Sequence, residues 1–435
     1  MPDTNISEQM RAEWNERALE DAYYYVAFGR RGQDDEEFFA TAEDVVRALE
    51  SELKRLPPAD RRARKALEIG CGPGRLMRPM SWNFGEIHGV DVSDEMIVRA
   101  TENLKNIPNA FPVHSDGTGL SNYPDELFDF VYSYAVFQHI PSRDIVFSYL
   151  HEARRVLKPG GILRCQLNGL PPTAKEYTTW EGVRIGAGEV AEFASANDFQ
   201  LLAIEGVDTQ YMWMTLRKRR AGWFQSIAKN PPPGEARIRS IVNAHSGEPV
   251  VPAWGRYACM SIWIENLPDD CDLNQINIEI EGGQAAPVYI GPPVFDGLRQ
   301  VNALMPVSSR TGLVPVDVFW FGRPLCEPAW VRVTPPGPSV PRLNAVSDGV
   351  NLLSGHKITS RSVKLFFEEL TAPDRLEVRL DGIDIPVLDL FCTDPVNECF
   401  EVNFTLPESV EVGAHQIEAK VGGRVFPAVG IVVAG

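Results

Sequence analysis

The sequence lacks the features of secreted, membrane and disulfide-rich proteins. No stretch approaches the roughly 18 consecutive apolar residues of a membrane-spanning helix, and the first 25 residues contain no apolar run typical of a signal peptide. Only 7 cysteines occur in 435 residues, with no C-x-x-C spacing, so neither a disulfide framework nor a zinc site is expected. We therefore expect a cytoplasmic protein without a membrane partner and without a bound metal.

A surplus of basic residues is also missing. The chain has 42 Lys and Arg against 59 Asp and Glu, for a formal net charge of −17. The parts before and after residue 230 are both net acidic. Because such a chain repels phosphate backbones and anionic surfaces, no nucleic-acid partner is expected.

The hydrophobic fraction of 44% is typical of a globular protein. Up to about residue 220, short apolar runs alternate with amphipathic stretches, which predicts a doubly wound α/β sheet. The predicted strands are 66–71, 87–92, 110–115, 128–134, 161–168, 199–207 and 211–217. The predicted helices are 36–56, 74–82, 94–105, 143–157 and 188–197. Since no helix separates the last two strands, they are expected to form an antiparallel hairpin at the end of a parallel sheet.

A proline-rich segment, KNPPPGEAR at 229–237, predicts a linker after this α/β region. The basic cluster Arg217–Arg220 just before it is expected to be the solvated end of the last strand, with contact to an anionic substrate or partner as the alternative. Beyond the linker, Pro, Gly and alternating β-branched residues predict antiparallel β-sandwiches.

The β-rich half repeats itself at an offset of about 100 residues. INIEIEG at 276–282 aligns with LEVRLDG at 376–382, and residues 300–318 align with 401–419. Two tandem copies of one β-module are therefore expected. The predicted domains are 1–228, with 1–58 as an N-terminal helical lid, then 237–334 and 340–435.

A glycine-rich segment, EIGCGPGRL at 68–76, joins the first predicted strand to a helix. Gly70, Gly72 and Gly74 allow a tight turn and a close approach of backbone to ligand. A dinucleotide fingerprint would need glycine where Arg75 stands, so a nicotinamide cofactor is disfavoured. Asp91, 21 residues after Gly70 at the end of the next strand, is suited to accept ribose hydroxyls.

Five motifs in this order resemble the class I S-adenosylmethionine-dependent methyltransferases. They are ALEIGCGPGRL, GVDVSDEMI, HSDGTGL, FDFVYSYAVFQHI and RRVLKPGGIL, and the resemblance covers about residues 60–220. It implies a Rossmann-like methyltransferase domain with S-adenosylmethionine as cofactor.

By this resemblance, the three glycines flank the methionine moiety and ribose, Asp91 holds the ribose hydroxyls, and Tyr134–Phe137 lines the sulfonium end. Met96 would cover one adenine face, while Asp116 and Gly117 would meet its edge. The implied cofactor-binding residues are Glu68, Gly70, Gly72, Gly74, Asp91, Val92, Met96, Asp116, Gly117, Tyr134, Phe137 and Gln138. Each has a local alternative, as a turn residue, helix cap or core residue.

The acceptor is restricted by what the motifs omit. YSYAV stands where amino-directed enzymes carry [D/N]-P-P-[Y/F], and neither Cys71 nor Cys165 is placed to attack cytosine. Ser133-Tyr134 and Asn168 stand where metal-dependent enzymes would need carboxylates. His139 remains a candidate general base for a small-molecule acceptor, or a residue that only shapes the pocket.

Aromatic residues in the N-terminal segment are candidate substrate contacts. Tyr23, Tyr24, Tyr25 and Phe28 could stack on a substrate, or could pin a helix to the domain. The two β-modules resemble immunoglobulin-like modules of the IPT/TIG type, and this resemblance covers the fold class alone. Their candidate roles are to dock a protein partner, bind a glycan, dimerise or cover the methyltransferase site. We expect a methyltransferase for a small-molecule acceptor. The alternatives are a methyltransferase whose β-modules select a protein or glycan, or a binding protein on an inactive methyltransferase scaffold.

Overall fold

The structure is a computed structural model. It describes residues 4–27, 31–174, 176–229, 235–294, 297–306, 310–336, 339–386, 388–394 and 397–434. The chain forms two compact units, the first of Met1–Glu16 and Ala42–Pro336, the second of Arg17–Thr41 and Gly337–Gly435. The division into three domains stays a prediction. Among the described residues, no helix is long and apolar enough to cross a membrane.

Residues before 230 form helices and one mainly parallel sheet. The helices are α1 (Thr4–Val26, interrupted at Asp21), α2 (Asp35–Ala40), α3 (Glu43–Glu52), α4 (Met77–Met80), α5 (Asp94–Leu104), α6 (Arg143–Val156), α7 (Ala187–Ala196) and α8 (Trp223–Lys229). The strands are β1 (Lys65–Ile69), β2 (Glu86–Asp91), β3 (Ala110–His114), β4 (Phe128–Ser133), β5 (Leu157–Leu167), β6 (Phe199–Glu205) and β7 (Met212–Lys218).

The sheet has the order β3-β2-β1-β4-β5-β7-β6. The first five strands are parallel, and β7 runs antiparallel to both β5 and β6. The parallel sheet ending in an antiparallel hairpin is therefore confirmed. The central strands β1 and β4 are buried along almost their whole length, as continuous apolar runs require.

One helical prediction was wrong in detail, and one short helix was not predicted. The helix predicted over 36–56 breaks between α2 and α3, because the Thr41 hydroxyl and N–H both bond to the carbonyl of Phe38 and end α2. The chain also forms the short helix α8 just before the predicted linker.

The first β-module, residues 235–336, consists of two groups of paired strands. Its strands are β8 (Arg237–Asn243), β9 (Val250–Pro252), β10 (Cys259–Glu265), β11 (Ile276–Ile280), β12 (Gly283–Ile290), β13 (Arg299–Leu304), β14 (Gly312–Trp320), β15 (Arg323–Pro324) and β16 (Ala329–Thr334). They pair in the orders β8-β10-β13-β12 and β12-β11-β14-β16-β9.

The second β-module, residues 339–434, pairs its strands in the same order. Its strands are β17 (Arg342–Asp348), β18 (Lys357–Ile358), β19 (Ser362–Glu368), β20 (Leu376–Leu380), β21 (Ile383–Asp384), β22 (Asp389–Asp394), β23 (Cys399–Thr405), β24 (Gly413–Val421), β25 (Arg424–Val425) and β26 (Val429–Val433). The orders are β17-β19-β23-β22 and β18-β26-β24-β20-β21. This shared order is the structural counterpart of the sequence repeat.

Each β-module ends its first strand with a side chain that holds the following turn. In the first, Asn243 Oδ1 accepts hydrogen bonds from the N–H groups of the residues two and three positions later, at 2.9 and 3.0 Å. In the second, Asp348 Oδ1 accepts the two corresponding bonds at 2.8 Å. At equivalent positions, the two copies therefore stabilise the turn after the first strand by the same pair of side chain to backbone hydrogen bonds.

Asp348 has a second set of partners through its other carboxylate oxygen. Oδ2 accepts from the N–H groups of Thr359 and Ser360, and the Ser360 hydroxyl donates to Oδ1. Burial by itself would raise the pKa of Asp348, but these hydrogen bonds outweigh it and lower the pKa to about 2. The ionised carboxylate therefore ties the end of β17 to the segment before β19.

Asp348→Ala should destabilise the second unit by about 2–4 kcal/mol at neutral pH, because several buried N–H groups lose their acceptor. Since the folded-state pKa lies below the unfolded one, this stabilisation is present above about pH 4 and is lost as the pH falls toward 2. Urea unfolding followed by circular dichroism measures it. All 9 tryptophans lie outside the second unit, so tryptophan fluorescence should change little.

The exposed Asp389, on β22 of the same module, supplies the control. Asp389→Ala should leave unfolding within about 0.5 kcal/mol of wild type. A gap between the Asp348 variant and wild type that stays constant from pH 7 to pH 2 would contradict the role assigned to the carboxylate.

The first β-module continues the sheet of the α/β region within the first unit. Strand β12 pairs with β6 through Tyr289 and Ala203. Leu273 N–H donates to the carbonyl of Leu201 at 2.9 Å, and the amide of the buried Gln200 donates to the Asp269 carbonyl at 2.7 Å. The strand pairing and these hydrogen bonds make the module an extension of the α/β sheet.

Three arginines converge on one carboxylate at this junction. Asp269 accepts from Arg299 at 2.6 Å, Arg219 at 3.0 Å and Arg217 at 3.3 Å. Burial opposes ionisation of Asp269, but the arginines outweigh it and hold the pKa well below its usual range. The expectation of a solvated basic cluster was wrong for Arg217 and Lys218, which are buried, and Lys218 donates to the Leu157 carbonyl. Arg220 is exposed, as expected.

A second, fully buried ion pair lies at the same junction. Arg55 pairs with Glu52 at 2.6 Å, with both side chains less than 5% exposed. The guanidinium also donates to the Ile290 carbonyl at 2.6 Å and lies over the Tyr289 ring. The segment after α3 is thereby joined to β12.

Asp269→Ala should destabilise the first unit by about 1–2 kcal/mol, because three arginines lose a common partner. The loss is moderate since Asp269 is more than half exposed and water screens part of the attraction. Tryptophan fluorescence during urea unfolding measures it. Glu43→Ala, which removes an exposed helical ion pair with Arg47, should change stability by less than 0.5 kcal/mol. Equal effects of the two substitutions would contradict the proposed anchoring.

Candidate cofactor-binding and active site

The glycine loop follows β1 and requires glycine for two physical reasons. Gly70, Gly72 and Gly74 have φ values of +74°, +51° and +86°, which side chains with a Cβ rarely adopt. A Cβ on Gly70 would lie 2.3 Å from Cγ2 of Val136, in the segment after β4. The loop therefore lies close against that segment.

Asp91 joins this loop to the end of β2. Oδ2 accepts from Gly72 N–H and Oδ1 from Ser93 N–H, both at 2.9 Å. Burial raises the pKa of Asp91, and these two bonds act in the opposite direction. Each oxygen keeps a further lone pair, and the residue is partly exposed. The carboxylate and the glycine loop thus fit a ribose with two hydroxyls.

Glu68 is on β1, two residues before the first glycine of the loop. It is buried and accepts a hydrogen bond from the Tyr132 hydroxyl at 2.9 Å. Burial raises the pKa of Glu68 to about 8, although Tyr132 and the nearby Arg75 oppose this shift. At neutral pH the side chain is therefore mainly protonated. Its hydrogen bond to Tyr132 joins the end of β1, just before the loop, to β4.

The predicted adenine contacts lie around the ends of β2 and β3. Met96 is buried in α5, whose first turn is capped by the Ser93 hydroxyl. Gly117 has φ of +78°, and a Cβ there would lie 2.7 Å from the Val92 side chain. Asp116 is exposed, and one of its oxygens is bonded to the backbone and hydroxyl of Thr118. Val92 and Gly117 are thus brought together, while Asp116 is partly engaged in its own turn.

The first part of α1 packs on this region. Sequence patterns did not predict this packing in detail. Asn15 Oδ1 accepts from the Ser93 hydroxyl at 2.7 Å and from Glu95 N–H at 3.3 Å. Arg11 pairs with Asp94 at 2.6 Å. A lone Asn in a polar helix carries no pattern that would single it out in the sequence.

A group of aromatic side chains lies at the carboxyl end of β4, next to the loop. Tyr134 stacks on Trp213 with ring centroids 5.4 Å apart and planes 4° apart. His139 is buried, and its ring meets the edge of Trp14 at 5.4 Å and lies 6.0 Å from Trp180. These rings supply apolar surface and a titratable nitrogen where a methyl acceptor would bind.

Two residues predicted to contact the cofactor, Phe137 and Gln138, are buried. Phe137 is buried against Tyr149, and Gln138 is buried in hydrogen bonds to Gln166 and His139. Their direct contact with a cofactor stays a prediction. Among the described residues, no group of three or more His, Cys, Asp or Glu side chains could hold a metal ion.

The candidate substrate tyrosines belong to the second unit. Tyr23 stacks on Phe38, Tyr24 lies under the Arg31 guanidinium, and the Tyr25 hydroxyl donates to Glu20. Phe28 lies outside the described residues. The substrate role of these four residues stays a prediction.

Residues 67–165 match a protein-family model described as a methyltransferase domain. This segment of the chain, from β1 into β5, is therefore similar to methyltransferase domains, and S-adenosylmethionine is the cofactor that the similarity implies. The glycine loop and the Asp91 carboxylate both lie within the matched residues and fit this cofactor.

Curated relatives match part of the chain. A probable methyltransferase, ltbC, of Aspergillus luteorubrus is 34% identical over 27% of this chain and 45% of its own length. The 2-methyl-6-phytyl-1,4-hydroquinone methyltransferase of Synechocystis is 30% identical over 35% of this chain and 47% of its own. The trans-aconitate 2-methyltransferase of Azoarcus is 30% identical, over 31% and 50%. The chain thus spans about half the length of these relatives.

Solved structures are more distant. The DhpI complex with S-adenosylhomocysteine is 18% identical with a TM-score of 0.37, and covers 50% of this chain and 98% of its own. The [4+2]-cyclase SpnF is 18% identical with a TM-score of 0.38, over 49% and 97%.

Gly70→Ala should weaken binding of S-adenosylmethionine at least tenfold, because the new Cβ would clash with Val136 and the positive φ would be strained. Titration calorimetry measures the affinity. Gly188→Ala in α7, where a Cβ meets nothing within 4 Å, should leave the affinity unchanged. Equal affinity of the Gly70 variant and wild type would contradict the placement of the cofactor in this loop.

Proposed function

We propose that the protein is an S-adenosylmethionine-dependent methyltransferase that acts on a small-molecule acceptor. The observation that carries the proposal is the joining of the glycine loop to the Asp91 carboxylate through Gly72 N–H. The methyltransferase relatives with small-molecule substrates in their printed names add support.

In this proposal the chain binds and orients the cofactor through backbone and carboxylate groups. The loop of Gly70–Gly74 faces the methionine moiety and ribose, and Asp91 accepts the ribose hydroxyls. Met96 and Gly117 border the adenine. When bound, the cofactor supplies an electrophilic methyl group on a sulfonium.

We assign the proton-accepting role to His139. Its ring lies within the aromatic group at the carboxyl end of β4, beside Trp14 and Trp180. A neutral imidazole can take the proton that an acceptor hydroxyl or amine loses as it is methylated. The aromatic rings would exclude water and hold an acceptor with apolar surface.

For the β-modules we propose an immunoglobulin-like fold, on the basis of their shared strand order. The first β-module is tied to β6 by backbone hydrogen bonds. We propose that it stiffens the catalytic region, so cutting the chain after residue 228 would expose a sheet edge and apolar core instead of releasing an intact enzyme. Contact of the modules with a protein or glycan remains a separate proposal.

Asp91→Ala tests the cofactor site directly. Calorimetry should give weaker binding of both S-adenosylmethionine and S-adenosylhomocysteine, by about tenfold or more, because the two share the ribose. Glu102→Ala, an exposed acid on α5 paired with Lys105, is the control and should bind both as wild type does. If wild type gives no heat of binding with either compound, the proposed function is wrong.

A further inference from the structure

Gln166 occupies a hydrogen-bonded position that the proposed function does not yet use. It lies near the end of β5 and its side chain is fully buried. Oε1 accepts from Ala135 N–H at 3.0 Å, and Nε2 lies 2.9 and 2.8 Å from the carbonyls of Leu167 and Gln210. A backbone N–H can only donate and a carbonyl can only accept. These three groups therefore fix which way the amide points.

The residue that Gln166 holds is strained. Ala135 has φ of +56°, in the left-handed region that residues with a Cβ rarely adopt. It lies between Tyr134 and the turn that carries His139. The bond from Ala135 N–H to Gln166 thus stabilises the backbone bend that leads into the candidate active site.

Gln138 links the Gln166 amide to the imidazole of His139. Its Oε1 accepts from Gln166 Nε2 at 3.0 Å, so its own amide nitrogen faces His139 Nε2 at 3.3 Å. An amide nitrogen only donates, and Nε2 of the imidazole must therefore accept with its lone pair.

The opposite side of the imidazole requires the same tautomer. His139 Nδ1 lies 3.0 Å from the carbonyl oxygen of Trp180, which can only accept. Nδ1 must therefore carry the proton. Two independent partners agree on one neutral form, with the hydrogen on Nδ1 and the lone pair on Nε2.

We propose that Gln166 is a positioning residue which, through Gln138, holds His139 in the neutral tautomer whose Nε2 can accept a proton. An acceptor hydroxyl or amine would displace the Gln138 amide and donate to the same lone pair. This inference rests on the proposed function for its catalytic meaning. The tautomer itself can be measured without any acceptor.

Two described acids on the neighbouring elements bind other side chains. Glu13 on α1 is hydrogen-bonded to the Thr179 hydroxyl, and Glu181 pairs with Arg184 in the segment after β5. The contact described at Nε2 is the amide of Gln138.

The test is nitrogen NMR of the full chain with ¹⁵N-labelled histidine. The chain has 7 histidines, and loss of one signal in His139→Gln assigns the residue. In wild type at neutral pH, His139 should show a protonated Nδ1 and an unprotonated Nε2. A protonated Nε2 in wild type would overturn the proposal.

Gln166→Glu should reverse the order of donors and acceptors. A carboxylate accepts, so Gln138 should turn its amide nitrogen toward residue 166 and its oxygen toward His139. Nε2 should then become protonated, and the titration midpoint of His139 should rise by about one pH unit or more. A folded variant with an unchanged His139 spectrum would overturn the proposal.

Gln166→Met keeps the side-chain shape without the amide and serves if the glutamate variant does not fold. Gln138 should then be able to turn its oxygen toward Nε2 while Nδ1 still donates to the Trp180 carbonyl, so the titration midpoint of His139 should rise; an unchanged midpoint would overturn the proposal. Gln200→Met is the matched control, because Gln200 is equally buried on β6 but bonds to Asp269 and Cys271. It should leave the His139 signals unchanged.

Calorimetry with S-adenosylmethionine on the same samples separates the two proposals. Loss of the tautomer effect with intact cofactor binding would contradict only the role of Gln166. Absence of cofactor binding in wild type would contradict the proposed function and leave the tautomer result standing.

Discussion

The carboxylate of Asp91 is the contact on which the site depends, because it joins the ends of two neighbouring strands. It binds the backbone of the glycine loop after β1 and of the turn after β2. Parallel strands bring their carboxyl ends to one edge, but they do not fix the loops that follow. A partly exposed acid with two backbone donors fixes them, and keeps lone pairs for a ligand. The proposed cofactor site is thus built mainly from backbone, with glycine required where chain segments meet closely.

At the same edge of the sheet, buried polar side chains determine the hydrogen bonds of the candidate base His139. Gln166 and Gln138 connect the end of β5 to the imidazole of His139, and a strained Ala135 is held in the same network. Satisfied buried polar groups of this kind specify one arrangement, because any reversal leaves an unpaired donor or acceptor. The adjoining first β-module lengthens and braces the sheet through β6 and the Asp269 cluster.

The sequence predicted the parts that depend on local patterns. Continuous apolar runs located β1 and β4, glycine spacing located the loop, and an acid after β2 located Asp91. What it could not predict depends on which residues meet across strands. Gln166 alternates with Arg164 and Asn168 around the end of β5, and this alternation carries no signal of the partners that each residue meets. Likewise, we predicted that the basic cluster at the end of β7 is solvated, because its partner Asp269 lies some 50 residues later in the chain.

The most direct test of this account is a crystal structure with S-adenosylhomocysteine bound. We expect both ribose hydroxyls within hydrogen-bonding distance of the Asp91 carboxylate, the loop of Gly70–Gly74 against the amino-acid moiety, and the sulfur facing the side of the pocket that holds His139 and Tyr134. A ligand bound elsewhere on the chain, or bound here with Asp91 turned away from the ribose, would contradict the account.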